Sequence, residues 1–234
     1  MRSAGWSPSC RAPPDPNTTP VGLRDILTGR HEVKGPAPDH LFAISTAYVA
    51  LQTEHQIEPA GAAAIVFQAL QTSEFEAAIK EMEEVVMATG GETGTQVHTE
   101  DDSFGYRWMV LRGGSVEDLA VGINAVSGSI ETAGHGERLL CAVFAFEDAK
   151  NHGVGGGGGG NPIYFIYNYK RGFWYPFVPA GGSSNVSQTG GGSGTPRTGE
   201  RATERELQLK AQMASELPIE PELERWFPLW GIPI

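Results

Sequence analysis

The side chains most able to perform chemistry lie in the segment HTEDD, where a histidine and three carboxylates are close together. They are His98, Glu100, Asp101 and Asp102. Hard cations need oxygen ligands at alternating positions and a closing bidentate carboxylate, and this segment does not complete that set. We interpret it as a solvated hairpin tip and predict no metal ligands. A hydrolase that uses these carboxylates stays open as an alternative, which raised pKa values in a concave pocket would support.

The residues that could act as nucleophiles or hold phosphate lie in unsuitable patterns. Ser127 and Ser129 belong to a helical segment rather than to a strand-to-helix elbow. Cys141 alternates with apolar residues along a strand, which predicts a buried structural thiol. The glycines at 155–160 lead into a strand, and no Gly-Lys-Ser/Thr motif follows them, so they predict a linker. We therefore predict no catalytic residues and no cofactor.

Two aromatic segments could instead make contacts. In IYFIYNYKRGFWYPF, two cations at a hairpin tip are flanked by rings, which is typical of an anchor to a protein groove or a membrane surface. In the closing ELERWFPLWGIPI, tryptophans near the chain end either fold back on the domain or dock a partner. The favoured alternative is that most rings of the first segment form the core face of a sheet, with the cations solvated. The predicted partner-binding residues are Lys170, Arg171, Phe173, Trp174, Trp226 and Trp230.

Helices that could position these segments follow from apolar residues at helical spacing. They are expected from Asp39, from Ser73 to Gly90, from Ser115 to Gly134, and from Thr203 to Pro218. Ser73 with Glu76 predicts a capping box, and Ser115 with Asp118 opens the next helix.

Strands are predicted in six short runs rich in aromatic and β-branched residues. They span about 62–70, 95–101, 104–112, 139–147, 163–169 and 173–179. Gly105 and Gly172 allow hairpin turns within DDSFG and KRG. The order α-β-α-β-β-α-β-β-β-α, with short links between strands, predicts an α+β fold. It would have a mostly antiparallel sheet of about six strands and helices on one face.

The chain also contains segments too poor in apolar residues to form a core. Residues 1–20 are rich in proline and are predicted to be a disordered leader. A second expectation is that the natural chain starts at Val21. Residues 21–234 are expected to form a single α+β domain with flexible Gly-rich insertions near 152–160 and 181–200.

Composition and charge restrict the classes of partner. The net charge of −11 opposes binding to nucleic acid or to anionic lipid, because phosphate groups repel it. Two cysteines are too few for a disulfide framework, and no apolar run approaches the length of about 20 residues that a membrane-spanning helix needs. The leader also lacks the apolar stretch of a signal peptide. The predicted location is the cytoplasm.

Several motifs resemble the family of phage-shock-protein-A-associated proteins, PspAB, over about residues 21–234. The motifs are RDILTGR, DHLFAISTAYVALQ, FGYRWMVLR, ETAGHGERLLCAVFAFED, YNYKRGFWYPFVP and LPIEPELERWFPLWG. KRGFWYPFVP and RWFPLWG are the most specific of them. The resemblance implies an association with the phage shock protein A system, which guards the cytoplasmic membrane under envelope stress. It assigns no catalytic residues.

The leading hypothesis is a non-enzymatic accessory or adaptor protein of this membrane stress response that acts by protein–protein contact, with phage shock protein A as a candidate partner. Through that partner it would lie at the inner face of the membrane. The alternatives are a hydrolase-like enzyme with a carboxylate site, and a chaperone-like dimer that pairs through an open sheet edge. Direct membrane binding ranks last.

Overall fold

The computed structural model describes residues 38–149, 161–180 and 199–234, and the following bounds refer to these ranges. The helices are α1 Pro38–Phe42, α2 Ile44–His55, α3 Ser73–Thr93, α4 Val116–Thr132 and α5 Thr203–Met213. The strands are β1 Ile57–Gln68, β2 Gln96–Asp101, β3 Tyr106–Arg112, β4 Leu139–Asp148, β5 Asn161–Asn168 and β6 Phe173–Phe177. The predicted order of elements is confirmed, with the first helix divided at Ala43 into α1 and α2.

The six strands form one sheet in the order β2-β3-β1-β4-β5-β6. Every neighbouring pair is antiparallel. β1 lies near the centre, where Ala64 pairs with Val110 of β3 on one side and with Val143 of β4 on the other. The predicted α+β class with an antiparallel sheet is therefore confirmed.

Two helix ends differ from the prediction. Thr72, and not Ser73, caps α3, because its Oγ1 accepts a hydrogen bond from the backbone N–H of Phe75 at 3.3 Å. The Glu76 carboxylate binds Arg107 at 2.7 Å, so the predicted capping box is wrong. α3 also continues past the glycine expected to stop it, to the residue before Gly94, whose φ of 76° favours glycine. The Ser115–Asp118 capping box of α4 is confirmed.

One face of the sheet packs against the helices. Alternate β1 residues Ala63, Ile65 and Phe67 point to this side, because side chains alternate between the two faces along a strand. Buried apolar residues of the helices pack on this face of the sheet, for example Ile123 of α4 and Leu209 of α5. The larger core therefore lies between the sheet and the helices, as the sequence predicted.

The other face, here called the second face, is also apolar and buried. Its β1 residues are Ala62, Ala64 and Val66. Residues 218–234, here called the tail, pack on this face, with Trp226 and Ile232 fully buried in its apolar cluster. The tail bridges to β6 at Ile219, and the carbonyl oxygen of Pro233 accepts a hydrogen bond of 2.7 Å from Arg112 at the end of β3.

Some predictions fall outside the described residues. The leader at 1–20, the proposed start at Val21 and the insertion near 152–160 lie there. So does most of the insertion near 181–200, of which only residues 199 and 200 are described. The single-domain organisation stays a prediction. Within the described ranges, no helix combines the length and the apolar character that a membrane crossing requires.

Candidate functional site

The hairpin tip between β5 and β6 presents two cations at its exposed surface. The turn closes where the N–H of Gly172 donates to the carbonyl oxygen of Asn168 at 2.8 Å, with Gly172 at a φ of 71°. The Asn168 side chain also accepts a hydrogen bond from the backbone N–H of Lys170 at 3.0 Å. The side chains of Lys170 and Arg171 are exposed. These bonds fix the backbone that presents them.

The two rings that follow the tip have different environments. Trp174 is 0% exposed and packs against Phe144 and Tyr167, and its Nε1–H donates to the carbonyl oxygen of His40 at 2.7 Å. Phe173 is half-buried, and the Arg171 guanidinium lies 5.9 Å from its ring centre. Trp174 therefore belongs to the core in this conformation, and Phe173 keeps part of its ring at the surface.

The tryptophans of the tail fold back on the domain. Trp226 is 4% exposed, stacks on Tyr175 with ring centres 6.2 Å apart, and donates from Nε1 to the carbonyl oxygen of Glu220 at 3.1 Å. Trp230 is half-buried and meets Phe177 edge to face at 5.1 Å. The Trp226 side chain has no free surface for a partner, whereas Trp230 retains some.

The structure brings the tip and the tail together. The Arg171 Nε–H donates to Glu220 Oε2 at 2.5 Å, and the Glu220 side chain is 3% exposed. This hydrogen bond is the main cause that raises the pKa of Arg171. The backbone continues the link, because Trp174 N–H donates to the Pro218 carbonyl oxygen and Glu220 N–H to the Trp174 carbonyl oxygen, both at 2.8 Å.

A second buried carboxylate holds the middle of the tail. Glu206 of α5 accepts hydrogen bonds from Arg201 at 2.7 Å and 3.1 Å and from the Val178 N–H at 2.9 Å. Arg201 then donates from Nη1 to the carbonyl oxygen of Trp226 at 2.8 Å. Lys210 lies 5.6 Å from the Trp226 ring and donates to the tail carbonyl of Pro221 at 2.9 Å.

The exposed part of these two segments is here called the tip-and-tail surface. Its cationic and apolar side chains are Lys170, Arg171, Phe173, Leu223, Phe227 and Trp230, of which Phe173 and Trp230 are half-buried; the carboxylates of Glu222 and Glu224 are exposed beside Leu223. Phe227 is 59% exposed and Leu223 46% exposed, although neither was among the predicted contact residues. Leu223, Trp226, Phe227 and Trp230 are spaced in the sequence as on one face of a helix, but the structure forms only a single 3-10 turn at Leu223–Arg225. Phe227 therefore points outwards while Trp226 points inwards.

Two of the three carboxylates considered for a hydrolase, Asp101 and Asp102, have structural partners. Asp101 forms an ion pair with Arg107 at 2.7 Å, and this contact lowers the pKa of the carboxyl group. Asp102 accepts hydrogen bonds from the Phe104 and Tyr106 N–H groups through Oδ1 and from the Trp108 indole through Oδ2. These groups close the β2–β3 hairpin. A lowered pKa at Asp101 is the opposite of the raised pKa that a carboxyl group needs to act as a general acid.

The remaining features that could support chemistry are the Cys141 thiol, possible metal ligands and the cavities of the described structure. Burial raises the pKa of the Cys141 thiol to about 12, which leaves it unreactive at neutral pH. Within the described ranges, no group of three or more His, Cys, Asp or Glu side chains is arranged to hold a metal ion. A cavity of 290 Å³ is lined by the ion pair Arg205–Asp148, whose atoms lie 3.0 Å apart. Another, of 710 Å³, lies between α3 and α4.

The fold and the site together define an α+β protein with a tail held across its sheet and a small aromatic and cationic surface beside it. Residues 21–234 match the family model described as PspA associated protein B. The chain therefore belongs to this family, and the resemblance found in its motifs is confirmed. The description names an association with PspA, the phage shock protein A. The comparisons with curated proteins and with solved structures each give no match.

Proposed function

We propose that this chain is a non-enzymatic accessory protein of the phage-shock-type membrane stress response. It binds phage shock protein A directly through the tip-and-tail surface. It acts in the cytoplasm and reaches the inner face of the membrane through that partner. Membership of a family described by its association with PspA motivates the choice of partner.

The observation that carries this proposal is the exposed Phe227 ring on a segment held in place from both sides. Tyr175 donates from its hydroxyl to the Phe227 carbonyl oxygen at 3.1 Å, and the preceding residue, Trp226, is buried. A ring on a fixed backbone loses little conformational freedom when it binds, so more of its burial energy contributes to affinity. Aromatic and arginine side chains are also the residue types enriched at the centres of protein interfaces.

The surface combines this apolar centre with charge. Lys170 and Arg171 lie at the tip, whereas the exposed Glu222 and Glu224 lie beside Leu223 in the tail and the chain as a whole has a net charge of −11. The partner surface should therefore have a cleft for Phe227 and Leu223 with carboxylates towards the tip. Complementary charge at such a rim mainly increases the association rate and fixes orientation.

Co-elution of purified full-length chain with purified phage shock protein A in size-exclusion chromatography tests the proposal. We expect a complex with the unchanged chain and at least about tenfold weaker binding for Phe227→Ala. Phe104→Ala is the matched control, because Phe104 is 68% exposed on the β2–β3 hairpin and should leave binding unchanged. No complex with the unchanged chain, or equal binding by both variants, would refute the proposed surface.

A chaperone-like dimer is the second candidate function. Among the described strands, β2 has β3 on one side and no strand on the other, so its outer edge is a template for pairing with another strand. Two copies could join their sheets there. Sedimentation that gives a monomeric mass at micromolar concentration would remove this candidate and leave the accessory role intact.

A further inference from the structure

A groove of 710 Å³ runs between α3 and α4 on the helical side of the molecule. Its floor is apolar and includes Ile79 and Met82 of α3 and Ile130 of α4. Along α4 it extends from Asn124 to Thr132, a rise of about 12 Å at 1.5 Å per residue. This length matches the spacing of anchors at positions i, i+4 and i+7 on one face of a docked helix.

Gly128 lies on α4 within this groove, and the packing of the described chain does not explain it. Glycine in a helix interior is less favourable than alanine, so a reason for it is expected. A Cβ atom built at Gly128 meets nothing within 4 Å. Gly122 on the same helix is different, because a Cβ atom there would lie 2.4 Å from Leu111 Cδ2. Gly122 is required by the core, whereas the space above Gly128 is open for something else to approach.

The charge around the groove restricts what can approach. Among the described residues that line it, Glu81 is the only carboxylate, and neither a lysine nor an arginine is present. Glu74 and Glu84, also on α3, are exposed, as is Glu131 at the end of α4; these carboxylates outnumber the exposed Lys80, the one cationic residue of α3. With a net charge of −11 on the whole chain, this side should attract a basic partner and repel an acidic one.

We propose that the α3–α4 groove binds an amphipathic helix of a partner protein, with apolar anchors on one face and lysine or arginine on its flanks. The bound helix crosses α4 at Gly128, where the absence of a side chain lets the two backbones approach closely. Glu81 and its acidic neighbours then face the basic flanks. This inference does not rest on the proposed function, because the groove contains no residue of the tip-and-tail surface.

Fluorescence anisotropy with labelled synthetic peptides of about 18 residues, or five helical turns, tests this inference on the full chain. The probe peptide has leucines on one face and lysines elsewhere. A second peptide replaces the lysines by glutamates, and a third has the probe composition in scrambled order. We expect the probe to bind at least about tenfold more tightly than either control peptide, because it alone combines the apolar face with complementary charge.

Variants locate the binding. Gly128→Leu fills the point of closest approach and should weaken binding of the probe at least about tenfold, whereas Val121→Leu, on exposed α4 surface outside the groove, should not. Ala125→Leu, at an exposed position that lines the groove, provides a second blocking change if Gly128→Leu fails to fold. Circular dichroism checks the fold of each variant.

Two charge-reversal variants, one inside the groove and one outside it, complete the design. Glu81→Lys should weaken the probe about threefold or more, and Glu54→Lys, at an exposed position of α2 outside the groove, should change its affinity less than about twofold. Equal binding of the three peptides would contradict the inference, as would the absence of binding. Unchanged affinity in the folded Gly128→Leu or Ala125→Leu variant would also overturn it.

Discussion

Arg171 and Glu220 lie 49 positions apart in the chain, and their side chains meet at 2.5 Å where the hairpin tip touches the tail. Glu220 is almost fully buried there, so Arg171 supplies the charge that compensates it. The same carboxylate also accepts a hydrogen bond from the Glu222 N–H at 3.3 Å. This contact joins the hairpin tip to the tail, so a substitution in one of the two segments should change the position of the other.

Removal of the Arg171 guanidinium should release the tail. In Arg171→Met the buried Glu220 carboxylate loses its cation, so we expect a lower urea midpoint and several-fold faster proteolysis after residue 218. Lys170→Met changes the neighbouring exposed cation and should have neither effect. Equal protease resistance of the two variants would show that this ion pair does not hold the tail.

Removal of the Glu206 charge should destabilise the whole domain. Glu206 is 1% exposed and binds both Arg201 and the Val178 backbone, so Glu206→Ala leaves buried donors without an acceptor. We expect a loss of about 3 kcal/mol in the free energy of unfolding. Glu204→Ala, at an exposed position two residues earlier in the same helix, should cost less than about 0.5 kcal/mol. Urea unfolding measures both, and similar losses would contradict the role given to Glu206.

The two glycines of α4 should respond in opposite directions to alanine. Gly128→Ala gains helix propensity without a clash, so it should raise the free energy of unfolding by about 0.5–1 kcal/mol. In a domain of this size that corresponds to an increase in Tm of about 1–4 °C. Gly122→Ala brings a Cβ atom to 2.4 Å from Leu111 and should lower Tm. Calorimetry measures both, and a lower Tm for Gly128→Ala would mean that the space is already filled.

The ion pair of Asp101 should contribute to acid sensitivity. Its hydrogen bond to Arg107 lowers the carboxyl pKa below the ordinary value of 3.8 in the folded state. The stabilisation is therefore complete above the unfolded-state pKa and is lost as the pH falls through the lower folded-state pKa. Asp101→Asn should remove this part of the pH dependence below about pH 4, whereas Glu100→Gln, its exposed neighbour, should retain it. Urea midpoints between about pH 6 and pH 2.5 give the comparison. Identical profiles for Asp101→Asn and the unchanged chain would contradict it.

The elements could be predicted because their signals are local. Apolar spacing locates α4 from Leu119 to Ile130, and the glycines of the two hairpins mark their turns. Folding back of the tail on the domain was one of the two alternatives predicted. Its position on the second face could not be predicted, since it depends on Trp226 meeting Tyr175 across 51 positions of chain. An irregular segment has no period from which such a contact can be inferred.

The candidate site was predicted in part. Lys170 and Arg171 at the tip follow from the hairpin pattern, but burial of Trp174 depends on His40 in a distant helix. The buried Glu206 had a usable signal, because it shares a helical face with Leu209 and Met213. A carboxylate on an apolar face indicates a buried partner, and Arg201 is that partner.

Site-specific photo-crosslinking in cells that contain phage shock protein A tests the central claim most directly. A photoreactive benzoylphenylalanine is introduced at Phe227, and in a matched strain at Phe104, the exposed ring on the other hairpin. The proposed contact predicts a light-dependent adduct with phage shock protein A from position 227 and none from position 104. An adduct from position 104 alone, or from neither position, would contradict the assignment of the tip-and-tail surface as the contact site.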